Sequence, residues 1–498
     1  MFQTLKNAWK TQELKTKLLF TLLIVILYRL GSAIPVPWID SAQVSQAFTA
    51  NASYAIQMIA GDAFAQATLF ALSVSPYITS SIIIQLLTVA IPALERWAKD
   101  GEEGKKKITM LTRIVTMVLA LITSFGYALT MVRSYATTLI GGTTGSLVWT
   151  TTGKAVINTG FAELFKNAGF QFIVMIACYC AGAAIVMWLA EKVDAHGIGN
   201  GISIILLANI VARLPQTFVT IYNMVYTSIM CFVNDTVALQ NGVSAVGDKV
   251  FMLISVIVWS LLVLGLLIGL TWLIVWFTDS ERRIPVQYAK KVVGRKMYGG
   301  QSSNLPLKLN MAGVMPVIFA NSIVSIPGTL ALIVNASWIS TLANDYFNYN
   351  KPLYVFVSII LLFAFAYFYI LISFNPVEVA NNIRNNGGAV PGIRPGKPTS
   401  DYIRKILNRI TLIGAVFLCI VSELPKVIVS IFSTIAEFNL AFPGFASGVV
   451  KFYAYGANVF MTVAFSGTSV LIVVGVILET VRELEAQLTM RNYKGFLD

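Results

Sequence analysis

Few residues in this 498-residue chain have the type and spacing to do chemistry. The stretch His196-Gly197-Ile198-Gly199-Asn200-Gly201-Ile202-Ser203 has glycine spacing that invites a phosphate-loop reading. Neither a strand before it nor a Lys-Ser/Thr after it supports that reading; glycines that let a helix N-terminus approach a neighbour are the better use. His196 is the single histidine, which excludes a His-rich metal centre and a His–His proton relay. Cys178, Cys180, Cys231 and Cys419 have no neighbouring His or carboxylate at ligand spacing and read as small packed hydrophobes. The sequence holds no HExxH, no GxSxG and no paired carboxylates within an apolar run. The expectation is a protein that is not an enzyme, with no cofactor and no metal.

Two other patterns carry information. Val74, Ile78 and Ile82 recur at a spacing of four and make one apolar stripe on a helix that is otherwise only partly apolar, with Gln66, Thr68, Ser73, Ser75, Thr79, Ser80, Ser81, Gln85 and Thr88. Pro76 is expected to interrupt that helix. Such a helix suits protein or water better than lipid, although small hydroxyl residues also serve tight helix packing. The second pattern is charge. Segment 278–310 carries Arg282, Arg283, Lys290, Lys291, Arg295, Lys296 and Lys308 against Asp279 and Glu281, and 375–405 carries Arg384, Arg394, Lys397, Arg404 and Lys405 among Gly and Pro. Charge alone fits a topogenic belt touching anionic lipid as well as a docking surface for a large partner, RNA among the candidates. The length of both segments and the turns at Gly387-Gly388, Pro391-Gly392 and Pro395-Gly396 tilt the reading toward docking.

The elements that must position these residues follow from composition. Apolar types make up 56% of the chain and charged types 12%, against about 25% charged in soluble domains, and mean hydropathy is +0.74. A soluble protein of this size needs more charge on its surface, so a polytopic α-helical membrane protein is the remaining class, and disorder, coiled coils and disulfide scaffolds are excluded. A span needs about 20 apolar residues. Ten candidates result: 18–38, 71–92, 108–132, 168–190, 198–221, 251–277, 311–334, 353–374, 406–428 and 455–478. The first apolar run continues past signal-peptide length without a convincing cleavage site and reads as a span. Most of the 36 Lys and Arg fall on 1–17, 93–107, 191–197, 278–310, 375–405 and the tail, which puts both termini in the cytoplasm. Ionisable residues within spans read as nearly absent, with Arg29 the exception, which speaks against a proton-coupled transporter.

Several stretches together resemble the SecY family, the pore subunits of the bacterial protein translocase: 68–89 (TLFALSVSPYITSSIIIQLLTV), 197–204 (GIGNGISI), 281–323, 375–399 (NPVEVANNIRNNGGAVPGIRPGKPT) and 465–495. The resemblance implies an all-α polytopic fold of ten transmembrane helices in two pseudo-symmetric five-helix halves, 1–222 and 250–498. It implies a pore ring of Val74, Ile78, Ile202, Leu206, Ile318 and Ile472, with Val74 and Leu206 standing where isoleucine is frequent. It implies a plug at about 56–70 that includes Gly61, Asp62, Ala63 and Phe64, and a lateral gate between the second and seventh spans with Ser81, Gln85 and Asn321 at its seam. Arg394 matches the loop arginine on which motor or ribosome engagement depends, with Lys397 beside it. The implied partners are SecE and usually SecG, the SecA ATPase, the ribosome, secretory and membrane-protein substrates with signal sequences, and membrane lipid; the implied location is the bacterial inner membrane. Segments 134–167, 222–249, 335–351 and 429–450 match nothing in the resemblance. A ring of aliphatic side chains fits the implied task, because it dewets when narrow and offers a passing chain no directional bonds. The other readings are a secondary transporter of small solutes, which needs a few placed polar groups, and a membrane-embedded transferase, which needs a catalytic carboxylate or metal set.

Overall fold

The computed structural model describes residues 2–37, 39, 62–139, 168–234, 246–288, 291–293, 296–298, 302–333, 337–342, 346, 352–441 and 467–494. In chain order its elements are α1 (Phe2–Lys10), α2 (Gln12–Ala33), α3 (Asp62–Ala65), α4 (Ser75–Ala90), α5 (Pro92–Lys99), α6 (Gly101–Leu139), α7 (Ala168–His196), α8 (Gly201–Val233) and α9 (Val246–Asp279). Strands β1 (Glu281–Tyr288), β2 (Lys291–Val293), β3 (Lys296–Tyr298) and β4 (Ser302–Lys308) follow. The rest are α10 (Met315–Val324), α11 (Ile326–Ile333), α12 (Ser337–Thr341), α13 (Pro352–Ser373), α14 (Pro376–Asn385), β5 (Gly388–Ala389), α15 (Lys397–Ala441) and α16 (Gly467–Lys494).

Seven helical segments among the described residues are long and apolar enough to cross a membrane: Gln12–Ala33, Gly101–Leu129, Phe170–His196, Gly201–Val233, Met252–Asp279, Pro352–Asn385 and Lys397–Ile428. They coincide with seven of the ten expected spans. Two of the other three differ for visible reasons. The second is α4, whose 16 residues rise about 24 Å, short of the ~30 Å hydrocarbon core. Its chain turns through 102° at Ile91 into α5, where Pro92 takes the first helical position. The seventh is split at Ser325 into α10 and α11, with Pro327 at the start of the second piece. Only the last part of the tenth, in α16, lies within the described residues. Pro76 does not interrupt its helix as expected: it stands in the first turn of α4, where its missing N–H costs nothing.

Contacts divide the chain into two compact units. The first comprises Met1–Leu253, Asn321–Tyr354 and Val476–Asp498. Here α6 is the central scaffold, with α4, α5, α7 and α11 packed along it, while α7 also lies against α2 and α8. One core of this unit gathers Val36, Phe64, Ala67, Ala71, Leu72, Ala120, Tyr127, Met175, Tyr179 and Ala183. A second joins Ala8 and Leu14 to Ile198 and Leu484.

The second unit comprises Ile254–Ala320 and Val355–Gly475. The segment 278–310, read in the sequence as a long basic loop without strands, folds into a β-hairpin. β1 pairs antiparallel with β4 in the register Ile284↔Leu305, and with β5 through Gln287↔Ala389 and Tyr288↔Gly388, giving the sheet order β4-β1-β5. Ile284 and Val286 alternate inward along β1 and pack with Leu307, Ile383, Val390, Ile403, Leu407 and Ile410, so the sheet sits on α14 and the start of α15. The backbone N–H of Leu309 donates to Ser280 O at 3.0 Å and closes the hairpin at its base.

Candidate functional site

The first unit holds the apolar stripe and its support. Between α3 and α4 the chain is non-helical, and at membrane depth such backbone is tolerated only inside protein. It is inside protein here: Ala67, Thr68, Phe70, Ala71, Leu72 and Ser73 are all buried. Its backbone groups are paired locally or with the chain after α2. Val36 N donates to Ala67 O at 3.4 Å and Leu69 N to Ile34 O at 2.9 Å. The Tyr127 hydroxyl donates to Phe64 O, and the Tyr127 ring meets Phe64 at 4.6 Å and Tyr179 at 5.0 Å. Helix α7 comes so close that a Cβ on Gly182 would lie 2.0 Å from Leu69 O; on α2, a Cβ on Gly31 would lie 2.0 Å from the Phe70 ring.

The turn ends at Ser73, whose φ of +49° is in the left-handed region that L side chains avoid. A closed ring of hydrogen bonds holds it. The Tyr28 hydroxyl of α2 donates to Asn209 Oδ1 of α8 at 2.7 Å, Asn209 Nδ2 donates to Ser73 Oγ at 2.9 Å, and Ser73 Oγ lies 3.0 Å from the Tyr28 hydroxyl. Val74 comes next, and with Ile78 and Ile82 it is buried along one face of α4. Gln85 Nε2 is 3.4 Å from Ser81 Oγ on the neighbouring stripe, a long contact.

The glycine-rich stretch that opens α8 is a tight joint. Gly199 has φ +80°, its N–H donates to Glu483 Oε2 of α16 at 2.8 Å, Ile198 N donates to Thr21 Oγ1 of α2 at 3.2 Å, and Gly201 N donates to Asp194 Oδ1 at 2.7 Å. A Cβ on Gly201 would lie 2.0 Å from Ala190 O. The glycines therefore serve close packing, as the sequence suggested, and Asn200 caps the helix by accepting from Ser203 N.

In the second unit the two basic segments, separate in the sequence, share one sheet through the β1–β5 pairing. Arg282 and Arg283 are exposed on β1, Arg394 is exposed on the turn after β5, and Lys397 is exposed at the start of α15. Positive φ at Gly387 (73°) shapes the turn into β5, positive φ at Gly392 (79°) and Gly396 (105°) shapes the turn after it, and Thr399 Oγ1 donates to Arg394 O at 2.8 Å across the latter.

The expected ring residues divide between the units. Val74, Ile78 and Leu206 are buried and Ile202 half-buried in the first; Ile318 is buried and Ile472 half-buried in the second. Ser81, Gln85 and Asn321 are half-buried in the first unit, and α4 and α11, the latter continuing the chain of α10, both pack on α6. Of the plug residues, Ala63 and Phe64 are buried, Asp62 begins α3, and Gly61 lies outside the described residues, as do Lys290 and Arg295. Lys291 is on β2 and Lys296 on β3.

The expectation that Arg29 alone is charged within a span needs correction. Arg213 lies within α8, and Glu423 and Lys426 lie within α15 as a buried pair, Nζ to Oε1 at 2.8 Å. The same Oε1 accepts from Ser358 Oγ of α13 at 2.8 Å. Their i,i+3 spacing inside an apolar run was the readable signal. Tyr28 and Asn209 had none, because neither residue is unusual within its own helix.

Comparison with known proteins decides the family. The SecY family model matches residues 68–481. The chain belongs to the SecY family. SecY-family relatives include the protein translocase subunit SecY of Streptomyces coelicolor, 38% identical over 504 residues, and that of Halalkalibacterium halodurans, 34% identical over 505 residues, each aligned over 100% of both chains. Solved structures with the same fold include one described as "The structure of a protein conducting channel" (TM-score 0.52, 16% identity, 95% of this chain and 92% of that chain). Another, on the plug domain of the SecY protein, has a TM-score of 0.53 at 17% identity, with the same coverage of both chains. The chain is thus an all-α, multi-pass membrane protein, and its function is that of the SecY family, a channel subunit of a protein translocase. The small-solute transporter reading is not favoured.

Proposed function

We propose that this chain is the pore subunit through which unfolded secretory polypeptides cross the bacterial cell membrane, and from which hydrophobic segments leave sideways into lipid. It has no catalytic step of its own. Two pseudo-symmetric halves, 1–222 and 250–498, flank the pore, and both termini are cytoplasmic. Val74, Ile78, Ile202, Leu206, Ile318 and Ile472 form the constriction. The observation that carries this reading is the buried stripe Val74, Ile78 and Ile82 on a helix too short and too rich in hydroxyls to be a simple lipid-facing span. Aliphatic side chains at a waist exclude hydrated ions yet make no sequence-dependent bonds with a moving chain.

The plug at about 56–70, including Gly61, Asp62, Ala63 and Phe64, closes the outer side, with Phe64 as its anchored end. The lateral gate lies between α4 and α10, with Ser81, Gln85 and Asn321 at the seam; the marginal apolarity of α4 lets it part from its neighbour at low cost. The shared sheet of β1, β4 and β5 with its following turn supports a docking platform bearing Arg282, Arg283, Lys290, Lys291, Arg295, Lys296, Arg394 and Lys397. It receives SecA or the translating ribosome, whose acidic or phosphate groups match the arginines. SecE and SecG accompany the chain.

The test is planar-bilayer conductance of the reconstituted complex carrying Ile78→Ser, Ile202→Ser and Ile318→Ser together. A resting ion leak is expected; silence equal to the unmodified complex refutes the constriction.

A further inference from the structure

The ring of hydrogen bonds among Tyr28, Ser73 and Asn209 has no part in the function described so far. We propose that these three are positioning residues for the constriction, fastening the turn that delivers Val74 to the stretch of α8 that carries Leu206, and so setting how readily the resting pore opens. The proposal rests on the reading of Val74, Ile78, Ile202 and Leu206 as pore-lining.

The geometry is specific. The three residues are 0%, 1% and 4% exposed, so the bonds are shielded from bulk water. The three distances, 2.7, 2.9 and 3.0 Å, allow each side chain to donate once and accept once around the ring. Changing any one residue therefore removes two of the three bonds. Ser73 holds φ +49° although it is not glycine, a conformation that persists only where the surroundings impose it. Its own backbone N–H is used locally, donating to Phe70 O at 2.8 Å, so it is the side chain that hydrogen-bonds Ser73 to α2 and α8.

Position gives the ring its consequence. Val74 directly follows Ser73, and Ile78 lies one helical turn further along α4. Leu206 and Ile202 precede Asn209 by three and seven residues, on its own side of α8. The four expected pore-lining residues of the first unit are thus carried by two elements whose meeting point is this ring. Simple glue between helices would serve anywhere along them.

The experiment uses the complete reconstituted translocase in planar bilayers without substrate. Tyr28→Phe and Asn209→Ala, each breaking the ring, should each raise the frequency of spontaneous openings about tenfold, the effect of losing buried hydrogen bonds. The double variant should open no more often than about either single, because the ring is already broken. Ser73→Gly removes the hydroxyl while accommodating the positive φ, so it folds without the strain and should open as the others do. Translocation of a substrate with a weakened signal sequence should rise in parallel. Lowered thermal stability with unchanged opening frequency overturns the proposal in favour of plain packing. Leaks from Ile78→Gly and Ile202→Gly beside silence from all three ring variants also sink the latch alone. Silence from Ile78→Gly and Ile202→Gly sinks the constriction reading and the latch with it.

Discussion

Replacing Lys426 by Met should be among the most damaging single changes in the second unit, and the double change Glu423→Gln/Lys426→Met should restore much of the loss. Lys426 and Glu423 are 1% and 3% exposed, with Nζ and Oε1 2.8 Å apart. At that separation an effective dielectric of about 20 gives an attraction of about 6 kcal/mol, most of which offsets the desolvation of both ions. The net worth of the pair is therefore small, whereas removing one partner leaves a buried charge alone and costs about 3–5 kcal/mol. Ser358 and Ser422 can hydrogen-bond Oε1 but cannot neutralise it, and Oε2 has no hydrogen-bond partner among the described residues. The assay is unfolding of the purified complex in lipid micelles by graded SDS, comparing Lys426→Met, Glu423→Gln and the double variant. Lys426→Met should unfold earliest and the double variant should lie close to the unmodified protein. Equal resistance of Lys426→Met and the unmodified protein refutes the argument, as does a double variant no better than the single.

Further predictions follow the packing. Gly182→Ala puts a Cβ 2.0 Å from Leu69 O and should disorder the anchor of the segment before α4; a cysteine at position 64 would report it by faster labelling, and an unchanged rate contradicts the close approach. Ile284→Asp places a carboxylate in the core shared with Ile403 and Leu407 and should release the hairpin from α15, seen as rapid proteolysis after Arg283 while the membrane part stays intact. Arg394→Glu should abolish motor- or ribosome-driven translocation without affecting membrane insertion, because the side chain is exposed on a turn whose shape rests on glycines and Thr399; full transport in vesicles contradicts the docking role. Glu483→Ala removes the acceptor for Gly199 N and should loosen the joint before α8 modestly, seen as faster amide exchange at residues 197–201; an unchanged rate contradicts the role of that bond.

Much of the layout was legible because membrane insertion acts on local composition. A run of some 20 apolar residues is a span whatever surrounds it, and seven expected ranges coincide with such helices. The turn glycines at 387, 392 and 396 were legible because positive φ is a property of the single residue. One local reading went astray, and one element was not legible. Pro76 suggests a break, yet the same ring that disrupts a helix interior suits its first turn, and only the preceding chain decides which. The basic segment 278–310 lacks a long alternating pattern, and its strands form because β4 returns to pair with β1 and α15 supplies the buried face.

The sequence by itself determined the class of protein, the approximate spans and the family to which the chain is similar, since each depends on composition, spacing or motif within short windows. Tertiary structure alone decided which polar residues inside the membrane are partnered, and by what. Tyr28 and Ser73 are 45 residues apart, Asn209 lies 181 residues from Tyr28, and Ser358 and Glu423 are separated by 65. A hydrogen bond requires donor and acceptor within about 3 Å, and no local pattern encodes a meeting between residues so far apart until the helices carrying them have packed.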